Sequence, residues 1–253
     1  MLTSLQNEKV KLAHLLQTQA KARRREGKIV LEGVRLIRDA IEQGLQPHFV
    51  LYTPNPTVEA LVAELEQQRL IAVSDDVMRH VSDTQQPQGI AGVFPVPQPA
   101  LPKQPERVLI LDAIRDPGNM GAMLRTAAGA GVQAVLLSPD SVDPYNPKTL
   151  RGGMGAHFRV PVVERSWDDI AAYCQGLTVY LADSKGDVRH DQADWSSAWA
   201  LIIGSEAHGA SDMAQRLAHA RVFIPLATET ESLNAAVAAG VILFEAMRQA
   251  RVW

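Results

Sequence analysis

Cysteine is scarce in this chain, and long apolar runs and glycine-rich phosphate loops are missing. One cysteine, Cys174, stands among 253 residues. It can make no internal disulfide and no thiolate metal site, so a reducing, cytoplasmic setting is expected. The seven histidines are scattered without ligand spacing, which argues against a metalloenzyme, and no metal is expected. The longest apolar stretch, Ala235 to Phe244, is about half a membrane-spanning length, so no transmembrane helix is expected. Gln6, Asn7 and Glu8 arrive before any apolar run, which speaks against a signal peptide. Neither GxGxxG nor a Gly-Lys-Ser/Thr loop is found, and a nucleotide-dependent oxidoreductase is disfavoured.

What is present describes a globular protein. Apolar residues make up 46% and charged residues 21%, enough to bury one large or two modest cores. The net charge of −3 conceals an asymmetry. Residues 1–38 carry nine basic side chains against three acidic ones, a surplus of +6, and the remainder carries −9. Lys21, Arg23, Arg24, Arg25 and Lys28 crowd the end of the first predicted helix. A basic arm on an acidic body is a candidate phosphate-binding footprint, and a solvated helix face is the plainer reading.

Helical spacing runs from Leu5 to Arg25, and Gly27 supplies a stop. Short strands and helices alternate from there to Phe94, which predicts a small α/β domain over 1–95. Pro95, Pro97, Pro99, Pro102 and Pro105 then interrupt any regular element, so residues 96–105 read as a semi-rigid linker. From 106 to 253 the pattern is short continuous apolar runs separated by helices. Such runs suit strands covered on both faces of an open parallel sheet, with a ligand site at their carboxyl ends. The last helix is predicted over Leu233 to Arg248, with more apolar surface than one face on a sheet needs.

Three loops, each after a buried strand, carry candidate chemistry. In Asp116-Pro-Gly-Asn119-Met-Gly121-Ala-Met-Leu-Arg125, Asn119 is a candidate helix cap, and Gly121 clears the path of Arg125 toward an anion at the helix start. In Gly204-Ser205-Glu206-Ala207-His208-Gly209, Gly204 admits a close ligand and Glu206 places a carboxylate at the strand end. Ile224-Pro-Leu226 and Glu231-Ser232-Leu233-Asn234 precede an alanine run, with Ser232 or Asn234 as caps of the last helix.

In this order the three loops resemble the motifs of the SpoU/TrmH family of RNA ribose methyltransferases. The likeness extends through Asp143-Pro-Tyr-Asn-Pro-Lys148 and Arg151 to Pro161. Ser4 to Asn7, Arg25 to Gly27 and Leu31 to Gly33 resemble the RNA-binding domain that precedes the catalytic domain in many members. The resemblance implies an α/β catalytic domain with a deep trefoil knot, a homodimer built on it, and S-adenosylmethionine as cofactor. It also implies that Gly204, Ser205, Ile224 and Leu233 hold the cofactor beside the loop that begins at Leu181 and Ala182. Arg125 would act at the ribose 2′-hydroxyl, with Asn119, Glu206, Ser232 and Asn234 completing the site.

Ser205, Ala207 and Thr228 depart from the usual motifs, which leaves the hydrogen bonding around Glu206 open. A guanidinium is normally always charged, so Arg125 reads as an electrostatic stabiliser. The proton acceptor stays open between Arg125, Glu206 and water. The implied reaction is 2′-O-methylation of structured RNA, with large-subunit ribosomal RNA as the leading substrate. Transfer RNA is the alternative substrate, and an inactive RNA-binding or ribosome-assembly factor the alternative class.

Overall fold

A computed structural model describes residues 1–206, 209–227 and 232–250. The first elements are α1 (Glu8–Thr18), α2 (Ala20–Glu26), β1 (Lys28–Glu32), α3 (Val34–Glu42), β2 (Phe49–Tyr52), α4 (Pro56–Glu64), β3 (Leu70–Ala72), α5 (Asp75–Val81) and β4 (Ile90–Pro95). After an irregular stretch come β5 (Arg107–Leu111), α6 (Pro117–Gly129), β6 (Ala134–Leu137), α7 (Pro147–Gly153), β7 (Val162–Glu164) and α8 (Trp167–Tyr173). The chain closes with β8 (Thr178–Ala182), β9 (Val188–Arg189), β10 (Trp199–Ile203), α9 (Asp212–Leu217), β11 (Ala220–Phe223) and α10 (Ala235–Ala250). Two compact units result, one of Met1–Gln98 with Tyr145–Phe158, the other of the rest of the described chain.

The first unit is a four-stranded sheet in the order β1-β4-β2-β3. Its strands are apolar on both faces because each face meets a helix layer. Val30, Leu51 and Val93 face Val10 and Leu16 of α1 and Val77 of α5. Ile29, Leu31 and Phe94 face Ile37 of α3 and Leu61 of α4. The division is not a single cut at the proline-rich stretch. Leu150 and Phe158 fill the second of these cores, and Arg151 pairs with Asp83 at 2.7 Å, which draws Tyr145–Phe158 into this unit.

The first predicted helix is in fact two, parted at Gln19, whose backbone is extended (φ −128°, ψ 114°). Arg23 explains how the break is held. Only 4% exposed, its guanidinium turns back to donate to the carbonyls of Leu16 at 2.6 Å and Gln17 at 3.3 Å. These carbonyls belong to the last turn of α1, where no helical N–H is left to satisfy them. Arg23 is therefore a structural cap and is not presented to a phosphate, contrary to its place in the basic cluster. Lys21, Arg24 and Arg25 are exposed and Lys28 half-exposed, as expected.

The second unit is a seven-stranded sheet in the order β7-β6-β5-β10-β8-β11-β9, parallel throughout. All five residues of β10 are buried, as a central strand covered on both sides requires. Strands β7 and β9 and helix α7, of three, two and seven residues, escape sequence patterning because no period can develop over such lengths. Burial pushes the Cys174 thiol up to about 11, so it packs as a small apolar side chain and not as a nucleophile. Because β5, β10, β8 and β11 are neighbours, the loops leaving their carboxyl ends converge, and there the sheet presents its crevice.

Arg23→Ala is expected to destabilise the protein by about 2 kcal/mol, since two helix-end carbonyls lose a charged donor. Lys21→Ala, on the exposed surface of the same helix, should stay within about 0.5 kcal/mol of wild type. Urea unfolding followed by circular dichroism compares the two.

Candidate functional site

Helix α6 opens the site. Its N-cap is Asp116, whose carboxylate accepts from the Asn119 amide N–H at 2.7 Å. Asn119 thus sits inside the first turn and is not the cap that sequence suggested, which frees its side chain. Arg125 lies two turns along the same helix, exposed, with no ion pair or hydrogen bond among the described residues. Gly121 beneath it is buried, leaving no side chain between Arg125 and the helix start.

The second loop folds back on itself. Ser205 and Gly209 exchange backbone hydrogen bonds of 3.0 and 2.8 Å. A Cβ at Gly204 would stand 2.7 Å from the backbone of Gly209 and Ala210. This glycine is thus required by the loop's own return, a different reason from the close ligand approach expected of it. Glu206 stands on the loop, while Ala207, His208, Thr228 and Glu231 lie outside the described residues.

Glu206 Oε1 is where the site comes together. It accepts from Asn119 Nδ2 at 2.7 Å, from the Ala235 N–H at 3.1 Å, and from Asn234 Nδ2 in a short contact. Asn234 Nδ2 also donates to Asn119 Oδ1 at 3.2 Å, closing a ring of two amides and a carboxylate. Asn234 Oδ1 meanwhile caps α10 by accepting from the N–H groups of Ala236 and Val237 at 3.0 and 3.2 Å. Three loops distant in sequence are joined at one oxygen. The carboxylate also sits at the N-terminus of a sixteen-residue helix, where negative charge is favoured. None of these bonds needs the side chain at 205, so serine there leaves the network whole.

Beside this ring lies a cavity of about 480 Å³, lined by Ala182, Gly204, Ser205, Ile224, Ser232 and Leu233 among others. Leu181, by contrast, is fully buried and is not among the lining residues. Sequence reasoning missed Phe223, Leu226, Ala238 and Ile242, which complete the apolar lining. Ala235, Ala238 and Ile242 recur at helical spacing on one face of α10, a signal that was available. Among the described residues, Asp183, Lys185 and Glu206 are the charged ones of the lining. Ile224 and Leu233 use their backbone groups in no hydrogen bond with another described residue. An apolar pocket with free main-chain groups and a charged rim fits a nucleoside cofactor with a zwitterionic tail. Among the described residues no cluster of His, Cys, Asp or Glu could hold a metal, and no helix is long and apolar enough to cross a membrane.

Comparison with known proteins agrees with this geometry. Residues 106–244 match the model of the SpoU rRNA Methylase family, and residues 7–92 match the MRM3-like substrate binding domain. The mouse protein "rRNA methyltransferase 3, mitochondrial" is 36% identical over 91% of this chain and 69% of its own length. The Bacillus subtilis "23S rRNA (guanosine(2553)-2′-O)-methyltransferase RlmP" is 33% identical over 95% of this chain and 96% of its own. An AdoMet-bound rRNA methyltransferase from Sinorhizobium meliloti superposes with a TM-score of 0.86 at 31% identity, covering 98% of this chain and 97% of that one. The SpoU methyltransferase AviRb from Streptomyces viridochromogenes, also with AdoMet, gives 0.87 at 26% identity over 98% and 99%. A family match over more than half the chain, on a sheet that brings all three motif loops to one crevice, leads to one conclusion: this protein belongs to the SpoU rRNA methylase family.

Proposed function

We propose that this protein transfers a methyl group from S-adenosylmethionine to a ribose 2′-hydroxyl of ribosomal RNA. The observation that carries the reading is the convergence of Asn119, Glu206 and Asn234 on one oxygen beside the 480 Å³ cavity, with Arg125 unpaired among the described residues on the same helix as Asn119. The relatives' rRNA specificity and the AdoMet bound to two structural neighbours support the substrate and the cofactor. A bacterial relative matched over 96% of its length supports a cytoplasmic location.

When bound, the cofactor supplies an electrophilic methyl group on a sulfonium. Catalysis of a single in-line displacement rests mainly on alignment, and the protein's contribution is to hold donor and acceptor in register. The backbone of Gly204, Ile224 and Leu233, with Ala182 and Ser205 on the lining, would hold the cofactor. Ser232, exposed and also on the cavity lining, faces the same space. Arg125 stabilises the developing alkoxide and the neighbouring phosphate with a permanent charge. Glu206 acts as a pin, its Oε1 taken by three donors. Its Oε2 has no partner among the described residues and is the one oxygen of the ring left to receive a proton.

The strand order carries β11 outside β8 while α10 returns to pack on α6, an arrangement that supports the threading of the family's trefoil knot. A homodimer is supported by a stripe on α10: Val237, Val241 and Phe244 share one face at 52, 39 and 52% exposure. For the first unit, the substrate-binding match and the exposed Lys21, Arg24 and Arg25, with Lys28, support binding to RNA phosphates.

Four outcomes test this reading. Arg125→Ala should leave cofactor affinity by calorimetry near wild type and lower methylation of rRNA about 100-fold, the scale of one absent transition-state donor. Glu206→Ala should lose both, whereas Glu206→Gln keeps an acceptor at Oε1 and should retain binding; a missing pH-rate limb in Glu206→Gln would identify Oε2 as the base. Phe244→Asp should convert a dimer of the 27.6 kDa chain to a monomer by light scattering, and a monomeric wild type at micromolar concentration would refute the dimer. Joint neutralisation of Lys21, Arg24 and Arg25 should flatten the log–log salt dependence of RNA binding by about 0.7–0.9 for each phosphate left without its cation. Neutralising Arg23 should not, because its guanidinium is already spent on α1.

A further inference from the structure

The geometry points to Asp112 as a positioning residue for methyl transfer, one that clips both ends of the loop carrying Glu206. Asp112 follows β5 directly and is only 2% exposed. Its own N–H donates to Ile203 O at 2.9 Å, at the residue before Gly204. Its Oδ2 accepts from the N–H of Ser211 at 2.7 Å, where the loop ends and α9 begins. One residue therefore holds the loop from 204 to 211 at entry and exit.

The other carboxylate oxygen is also engaged. Asp112 Oδ1 accepts from Ser138 Oγ at 3.1 Å, and Ser138 Oγ in turn accepts from the N–H of Ala113 at 2.9 Å. Ala113 is held at a φ of 52°, a left-handed conformation that an alanine adopts only when its surroundings enforce it. From Ala113 the chain runs directly to Asp116 and Asn119. A buried carboxylate without a cationic partner among the described residues persists only because hydrogen bonds meet its charge. Asp112 thus sets the starting points of the two segments whose ends meet at Asn119 Nδ2 and Glu206 Oε1. A displacement here would reach the cofactor lining at Gly209 and Ala210 and the ring around Glu206 together. Nothing in the sequence patterning marks this aspartate, since it reads as the polar end of a strand.

This inference rests on the methyltransferase reading, and its test is arranged so that the two can fail separately. Asp112→Ala and Asp112→Asn are compared with wild type by three measurements. They are amide hydrogen exchange at 209–211 in cofactor-free protein, S-adenosylmethionine affinity by calorimetry, and tritiated methyl transfer at saturating cofactor to rRNA from a strain lacking the gene. Asp112→Ala should speed exchange about tenfold and lower the saturated rate about tenfold or more, with weaker cofactor binding. Asp112→Asn should restore all three, because the amide oxygen, placed where Oδ2 stood, accepts from the Ser211 N–H while the amide nitrogen donates to Ser138 Oγ, whose hydroxyl can turn to Pro139 O, 3.2 Å away. A folded Asp112→Ala with wild-type exchange, affinity and rate overturns the inference, as does an Asp112→Asn no better than Asp112→Ala. Should Asp112→Ala not fold, Ser138→Ala takes its place: faster exchange at Ala113 and Ser211 supports the inference and wild-type exchange at both overturns it. Absence of methyl transfer by wild type would instead remove the functional reading, while exchange and affinity still judge Asp112.

Discussion

The site depends on a single carboxylate oxygen. Glu206 Oε1 receives donors from α6, from the segment before α10 and from the first N–H of α10 itself. The donors come from two stretches of chain, Asn119 on one side and Asn234 with Ala235 on the other, which are otherwise joined by the Asn234–Asn119 side-chain bond. Charge makes the arrangement possible: a carboxylate accepts several hydrogen bonds at once and gains from the helix terminus it faces. An uncharged pin could match the geometry while binding the same donors less strongly. Ser205 leaves the network intact, because the carboxylate of Glu206 gathers the donors.

Sheet order supplies the frame for that pin. In a fully parallel sheet every strand ends on the same side, so adjacent strands deliver their loops to a common edge. Here β5 and β10 are neighbours although nearly ninety residues separate them, and β8 and β11 stand next in line. The loop at 204–211 is tied to β5 through Asp112, and the last helix packs on α6 through small residues. A Cβ at Gly240 would lie 3.8 Å from Thr126, and one at Gly129 would lie 3.9 Å from Phe244. Both are ordinary van der Waals separations, so the two helices lie in close contact at these positions.

The two units differ in what they carry. The second unit holds the cavity and the carboxylate ring. The first carries the basic cluster of Lys21, Arg23, Arg24, Arg25 and Lys28, and Arg23 of that cluster serves the fold. Arg23 shows why composition overstates a binding surface: a helix that stops after eleven residues leaves carbonyls that need a donor, and the nearest long cation supplies it. Lys21, Arg24 and Arg25 remain outside because the helix turns them away from that end.

Much of this was legible in residue order alone. Continuous apolar runs foretold a parallel sheet, since strands covered on both faces need no alternation. The three Gly- and Asn-bearing loops, through their resemblance to the family's motifs, pointed to Asn119, Arg125, Glu206 and Asn234. Other features required the folded chain. Which oxygen joins the loops, that Asp116 and not Asn119 caps α6, that Gly204 serves its own loop, and that Tyr145–Phe158 packs into the first unit are all decided by contacts between residues far apart in sequence. Asp112 and Arg23 belong to the same class. Each is a charged residue whose role comes from being buried, and burial is a property of the tertiary structure that no local pattern encodes.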